Sequence, residues 1–170
     1  MKARESLVAK IGTRLGLIVL IGTTIGCDRV TKHMAATALA GTPTRSFLAD
    51  SVRLEYAENT GGFLSLGADL PVAARTALFT VATGLSLLAM IAMAIQQRRR
   101  VWSLIGLSLF IAGGASNWLD RFAFGRVVDF INIGFGPLRT GIFNVADVAI
   151  MFGCGLLVLT EALRKDTLVS

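Results

Sequence analysis

Four stretches of this chain, 15–30, 72–95, 101–118 and 143–160, are apolar for long enough to approach the thickness of a bilayer, which takes about 20 residues of helix to cross. Between them the period of the pattern changes. From Val52 the run VRLEYAENTGGFLSL alternates Val52, Leu54 and Tyr56 with Arg53 and Glu55, breaks at Asn59, Gly61 and Gly62, and then turns apolar again. Alternation followed by such a break predicts a strand, a tight turn and a second strand. The run RVVDFINI from Arg126 is rich in β-branched and aromatic residues, and it predicts a third strand with Asp129 in its middle.

An even number of spans puts both chain ends on one side and both long connections, roughly 31–71 and 119–142, on the other. The expected fold is therefore an integral membrane, mainly α protein: four transmembrane helices with a small extracytoplasmic β-sheet lobe drawn from about 45–70 and 125–135. No internal repeat, low-complexity tract or linker interrupts it, so residues 1–170 are expected to form a single membrane-embedded domain.

Composition removes the soluble alternative. Of 170 residues 54% are hydrophobic and 16% charged, with a mean hydropathy of +0.66, too apolar for an ordinary soluble domain. Charge then chooses the face. Lys2, Arg4, Lys10, Arg14, Arg98 to Arg100, Arg164 and Lys165 all fall on the side of the termini, nine of the 17 basic residues against three of the 11 acids, and the whole net charge of +6 lies there. By the positive-inside rule that side is cytoplasmic. The pI near 10.2 thus describes topology, and no nucleic-acid partner is expected.

Cys27 and Cys154 have no CxxC or Cys/His spacing and are expected to be small buried side chains. His33 is the single histidine. No metal and no cofactor are expected.

The segment TTIGCDRVTK, 23–32, has two readings. Small residues before a cysteine, after a basic start and an apolar run, resemble the cleavage box of a lipoprotein precursor. Three further spans come after Cys27, however, and they favour an uncleaved first span whose outer end carries Asp28, Arg29 and Lys32. Asp28 and Lys32 are spaced to pair on one helix face, either as a simple interfacial ion pair or as support for a site.

The remaining polar residues concentrate between spans three and four: Asn117, Asp120, Arg121, Asp129, Asn144 and Asp147. Ionisable groups at membrane depth are costly and are functional candidates by default. Asn144 and Asp147 share a face near a helix N-terminus, where the backbone dipole favours a carboxylate. Arg121, at a helix end, is expected to neutralise Asp120 or a substrate carbonyl. Asp129 and Asp147 have no basic partner in sequence. Held together, two such carboxyls keep one proton between them and can perform both halves of peptide hydrolysis. Apart, one is a solvated strand residue and the other a helix-start residue.

Asp28-Arg29-Val30-Thr31-Lys32, Asn59-Thr60-Gly61, Gly113-Gly114 with Asn117-x-x-Asp120-Arg121, Val127-Val128-Asp129-Phe130 and Phe143-Asn144-x-Ala146-Asp147 succeed one another in the order and approximate spacing of the bacterial lipoprotein signal peptidases (signal peptidase II), which the chain resembles over about 15–163. The resemblance implies an inner-membrane aspartic endopeptidase that removes the signal peptide from prolipoproteins, cutting before a diacylglyceryl-modified cysteine. It implies Asp129 and Asp147 as the catalytic pair, Asn59, Gly61, Asn117, Arg121 and Asn144 around the substrate, and Asp28, Lys32 and Asp120 as support. Membrane lipid and lipidated prolipoproteins are the implied partners, for an enzyme expected to act as a monomer.

Two departures touch substrate range. Gly61-Gly62-Phe63-Leu64 stands where Gly-Ala-Ala-Phe is frequent, and Ser116 where glycine is usual. A specialised paralogue is one alternative; a small transporter with Asp28, Asp129 and Asp147 as a proton relay, or a silent scaffold, are others.

Overall fold

The computed structural model describes residues 2–96 and 101–169. The basic cluster Arg98 to Arg100 lies outside the described residues. Helix α1 runs Lys2–Ala38, α2 covers 72–96, α3 is Val101–Phe124 and α4 is Val145–Val169. Among the described residues four helical segments, Ile11–Ala38, Val72–Ile95, Val101–Phe124 and Val145–Arg164, are long and apolar enough to cross a membrane. The expected four-span, mainly helical architecture holds.

Two spans are longer than their apolar runs. Helix α1 continues past Val30 through Lys32 and Ala35, and α3 continues past Trp118 through Asp120 and Phe124. Their polar residues stay helical because they are buried against one another and not against lipid. The distribution is inside out: Leu15, Ile18, Val72, Leu85 and Val158 are exposed, while Asp28, Lys32, Asn117, Asp120, Asp129, Asn144 and Asp147 are buried. A bilayer gives little reason to hide apolar side chains, so the fold hides its polar groups, beside a small apolar cluster of Ala35, Leu39 and Phe130.

Helix α3 is the centre of the bundle, with 39% of its spanning window buried against 6% for α1 and α2. Its tightest partner is α4. A Cβ on Gly153 would stand 2.5 Å from the Gly106 carbonyl oxygen and 2.6 Å from the Phe110 nitrogen, so these two backbones touch only because glycine is there.

Four antiparallel strands, β1 (Arg45–Phe47), β2 (Val52–Asn59), β3 (Val127–Phe135) and β4 (Leu138–Arg139), form one sheet in the order β1-β2-β3-β4. The alternation from Val52 makes β2, and the run after Arg126 makes β3, as expected. The expected hairpin does not form. After Asn59 the chain coils through a 3₁₀ turn at Phe63–Ser65, with Leu64 and Ser65 in the left-handed region (φ 53° and 63°), and β2 pairs instead with β1 and β3. Cys27 and Cys154 are exposed and free, against the expectation of burial. In a spanning helix, apolar character does not imply an inward face.

Candidate active site

The site is built where α4 begins. Phe143 exchanges backbone hydrogen bonds with Ile131 of β3, at 2.9 Å in both directions, which fixes the approach to α4 against the sheet. Asn144 then caps the helix. Its Oδ1 accepts the Asp147 backbone N–H at 3.0 Å, and the Asp147 carboxylate accepts the Asn144 N–H at 3.1 Å. This reciprocal capping arrangement satisfies two of the otherwise unpaired donors of the first turn. Asp147 is therefore a helix-start residue and, at the same time, part of the cluster.

Asn144 also links two elements through its side-chain amide. Its Nδ2 donates to Asp129 Oδ1 at 2.6 Å and more weakly to Asn117 Oδ1 at 3.3 Å. The other oxygen of Asp129 accepts Asn59 Nδ2 at 2.9 Å. Asn117, on α3, donates to Asp147 Oδ1 at 2.9 Å. Asp129 and Asp147 thus share Asn144 as a neighbour, and each is held by uncharged amide donors. Neither forms an ion pair among the described residues.

Beneath this pair lies an ionic cluster. Lys32 Nζ meets Asp28 Oδ2 at 2.6 Å, Asp120 Oδ2 at 2.7 Å and Asn117 Oδ1 at 2.7 Å. Because an ammonium only donates, it holds the Asn117 oxygen toward itself and leaves the Asn117 NH₂ to face Asp147. Asp28, fully buried, accepts Ser116 Oγ at 2.7 Å and the Ala146 backbone N–H at 2.8 Å. It thereby ties α1 to α3 and to the first turn of α4. Arg29 completes the cluster on the free oxygen of Asp120.

Arg121 faces elsewhere. Its Nε and Nη2 both donate to the Gly61 carbonyl, at 3.0 and 2.5 Å, and its guanidinium lies 5.9 Å from the Phe79 ring centroid, a cation–π contact. The Gly61 N–H in turn donates to Asn59 Oδ1 at 2.9 Å. A Cβ on Gly61 would come within 2.5 Å of the Leu66 carbonyl oxygen, so this turn tolerates no side chain.

Burial pushes the Asp129 carboxyl above the ordinary carboxylate range. The amide hydrogen bonds from Asn59 and Asn144 and the charges of Lys32 and Arg121 pull it back only in part. Among the described residues, no group of three or more His, Cys, Asp or Glu side chains is arranged to hold a metal ion.

All ten residues singled out in the sequence converge at this end of the bundle. Asp28 and Lys32 pair as their spacing predicts. Arg121 does not pair with Asp120, contrary to one expectation, because successive helical residues point about 100° apart and Asp120 is taken by Lys32 and Arg29. Two members were named in the sequence without a role. Arg29 stands there as a second cation at the outer end of span one, and it pairs with Asp120. Ser116 showed only as a departure from glycine, and its hydroxyl supplies an added hydrogen bond to Asp28.

The model of the family described as signal peptidase (SPase) II matches residues 20–163. A lipoprotein signal peptidase of Streptococcus pneumoniae is 30% identical over 149 residues, covering 87% of this chain and 92% of the relative. That of Sphingopyxis alaskensis is 35% identical over 141 residues, covering 82% and 80%. A bacterial membrane enzyme solved by the in meso method superposes with a TM-score of 0.76 at 27% identity, over 89% of each chain.

Proposed function

The chain belongs to the signal peptidase II family, and we propose that it removes the signal peptide from prolipoproteins by aspartic catalysis, with Asp129 and Asp147 as the catalytic pair. The observation that carries this reading is the pair itself: two buried carboxyls served by asparagine amides and, among the described residues, by no bonded cation. Such a pair favours the singly ionised state, because a second negative charge in the same buried place is costly.

The chemistry rests on that one proton. The ionised carboxyl takes a proton from water as its oxygen attacks the scissile carbonyl carbon. The protonated carboxyl hydrogen-bonds to the carbonyl oxygen and stabilises the charge that develops there. Collapse of the tetrahedral intermediate breaks the C–N bond, and a proton passes to the leaving nitrogen. Asn59, Asn117 and Asn144 hold the two carboxyls in register, and preorganised groups of this kind avoid reorganisation during the reaction.

Substrate recognition rests on depth. The pair lies at the end of the spans, beside the sheet, where an acyl-bearing cysteine would be held by its own lipid. A diacylglyceryl precursor is therefore the expected substrate, cut before its modified cysteine, and the same precursor without lipid is the control that should remain whole. A purified prolipoprotein incubated with the protein in detergent tests both. Cleavage of neither, by folded protein, would put the relay or scaffold readings ahead. Against a relay stands the placement of the buried charged residues Asp28, Lys32, Asp120, Asp129 and Asp147 in one cluster, since a relay needs groups toward the opposite face as well.

Charge sets the orientation. Both termini and Arg98 to Arg100 belong in the cytoplasm of a bacterial inner membrane, with Asn59 and Asp129 on the far face. Single-cysteine labelling with an impermeant reagent should modify positions near Asn59 in intact cells and leave both termini unlabelled. A terminus labelled from outside would overturn the assignment.

Arg121 acts on the Gly61 turn and so on Asn59. Replacing it with lysine keeps the charge and loses the two-pronged grip on the Gly61 carbonyl. Processing should fall about tenfold, the worth of a charge-assisted hydrogen bond, with cleavage still measurable at high enzyme concentration. An unchanged rate would show that the turn needs no such anchor.

A further inference from the structure

Beside the catalytic cluster, between the first turns of α2 and the end of α3, lies a cavity of about 430 Å³. Thr60, Arg75, Thr76, Phe79, Arg121 and Phe122 line it. Its size is that of a small-ligand site, in the range of about 300–1,000 Å³. Arg75 is the unusual member. Its Nε is buried, and no hydrogen bond or ion pair engages it among the described residues. A guanidinium with a buried donor and no protein acceptor is costly to keep, unless something outside the protein accepts from it. With Arg121 on the same wall and two threonine hydroxyls beside them, that something is an anion with several acceptor oxygens.

The rim says what carries the anion. Arg75 stands one turn into the span that begins at Val72, where phospholipid headgroups meet the acyl region. Val72, Val81 and Phe122 at the cavity are strongly exposed, at 68%, 55% and 69%. A free phosphate has no use for such a border, whereas a phospholipid lays its chains along it. We propose that this cavity seats the phosphate of an anionic phospholipid, held by Arg75 with Arg121, Thr60 and Thr76, beside the catalytic pair and sharing Arg121 with the substrate site.

The test is binding of dioleoyl phosphatidylglycerol to the purified full chain in a neutral detergent, read as the concentration that half-saturates the rise in thermal unfolding midpoint. Diolein, which lacks the phosphate, and inorganic phosphate, which lacks the chains, run beside it. Phosphatidylglycerol should stabilise the wild type and the other two should not. Arg75→Gln should raise the half-saturating concentration at least about fivefold, as expected for loss of a charged donor, while Arg45→Gln, on the exposed strand β1, should leave it unchanged. Thr76→Phe keeps Arg75 and fills the cavity from an exposed helix position, so it tests the seat even if Arg75→Gln folds poorly; it should weaken binding too. Equal saturation in wild type, Arg75→Gln and Thr76→Phe would overturn the proposal. So would diolein matching phosphatidylglycerol, which would mean an apolar seat, or inorganic phosphate matching it, which would mean a free-anion site. None of these readouts depends on prolipoprotein cleavage.

Discussion

Asp129→Asn and Asp147→Asn are each expected to lose nearly all turnover of a diacylglyceryl precursor, and the double variant to be scarcely worse than either alone. Asparagine keeps the size and part of the hydrogen bonding of each carboxyl, so Asn59, Asn117 and Asn144 retain neighbours of similar shape. What disappears is the base in one case and the shared proton in the other. Groups that work as one unit are strongly non-additive, and removing the second costs little once the first is gone. The measurement is release of signal peptide by protein shown to be inserted and able to bind the lipidated precursor. Cleavage also depends on the shared proton, so activity should fall as pH rises through the range where that proton leaves. Burial holds Asp129 above the ordinary carboxylate range, which places this loss above the pH at which an exposed aspartate is already ionised. Substantial cleavage by either single variant would sink the dyad.

Lys32→Met is expected to have the largest effect on stability, together with a separate loss of activity. The ammonium is buried between Asp28 and Asp120, with side-chain exposures of 6%, 0% and 7%. Methionine preserves the stem and removes the charge, which leaves Asp28 with no cation and Asp120 with Arg29 alone. Breaking a buried pair from one side costs about 3–5 kcal/mol, and the thermal unfolding midpoint in detergent should drop accordingly. Lys32 also orients Asn117, whose amide holds Asp147, so the residual enzyme should turn over more slowly even at temperatures where it remains folded. Adding Asp28→Asn removes the stranded charge and should restore part of the stability without restoring the rate. If Lys32→Met unfolds and processes like the wild type, the cluster is an interfacial ion pair with no further task.

Much of this site is legible in the order of residues alone. Asp28 and Lys32 stand one helical turn apart, and Asn144 and Asp147 have the spacing of a cap and its third residue, so local geometry makes each pair readable. Asp129 stands out as an acid inside an apolar strand. The misreadings have physical causes as well. The run after Gly62 is apolar enough for a strand, but the Gly61 carbonyl is gripped by Arg121 from 60 residues away, and the chain coils there. Cys27 and Cys154 belong to apolar helices, whose outward faces are as apolar as their inward ones when the solvent is lipid.

The sequence by itself determined the spans, their even number and the charge asymmetry between the two faces, because hydropathy and charge belong to each segment regardless of what it packs against. It also determined the strands at Val52 and Val127, because alternation is local. Beyond the local Asp28–Lys32 pair, only the tertiary structure decided which acid meets which cation. Lys32 reaches Asn117 and Asp120 across 85 and 88 residues, and Asp28 reaches the Ala146 N–H across 118. Partners so distant are chosen by how α1, α3 and α4 cross, and that crossing is set by glycine contacts and buried polar groups whose effects no single segment carries alone.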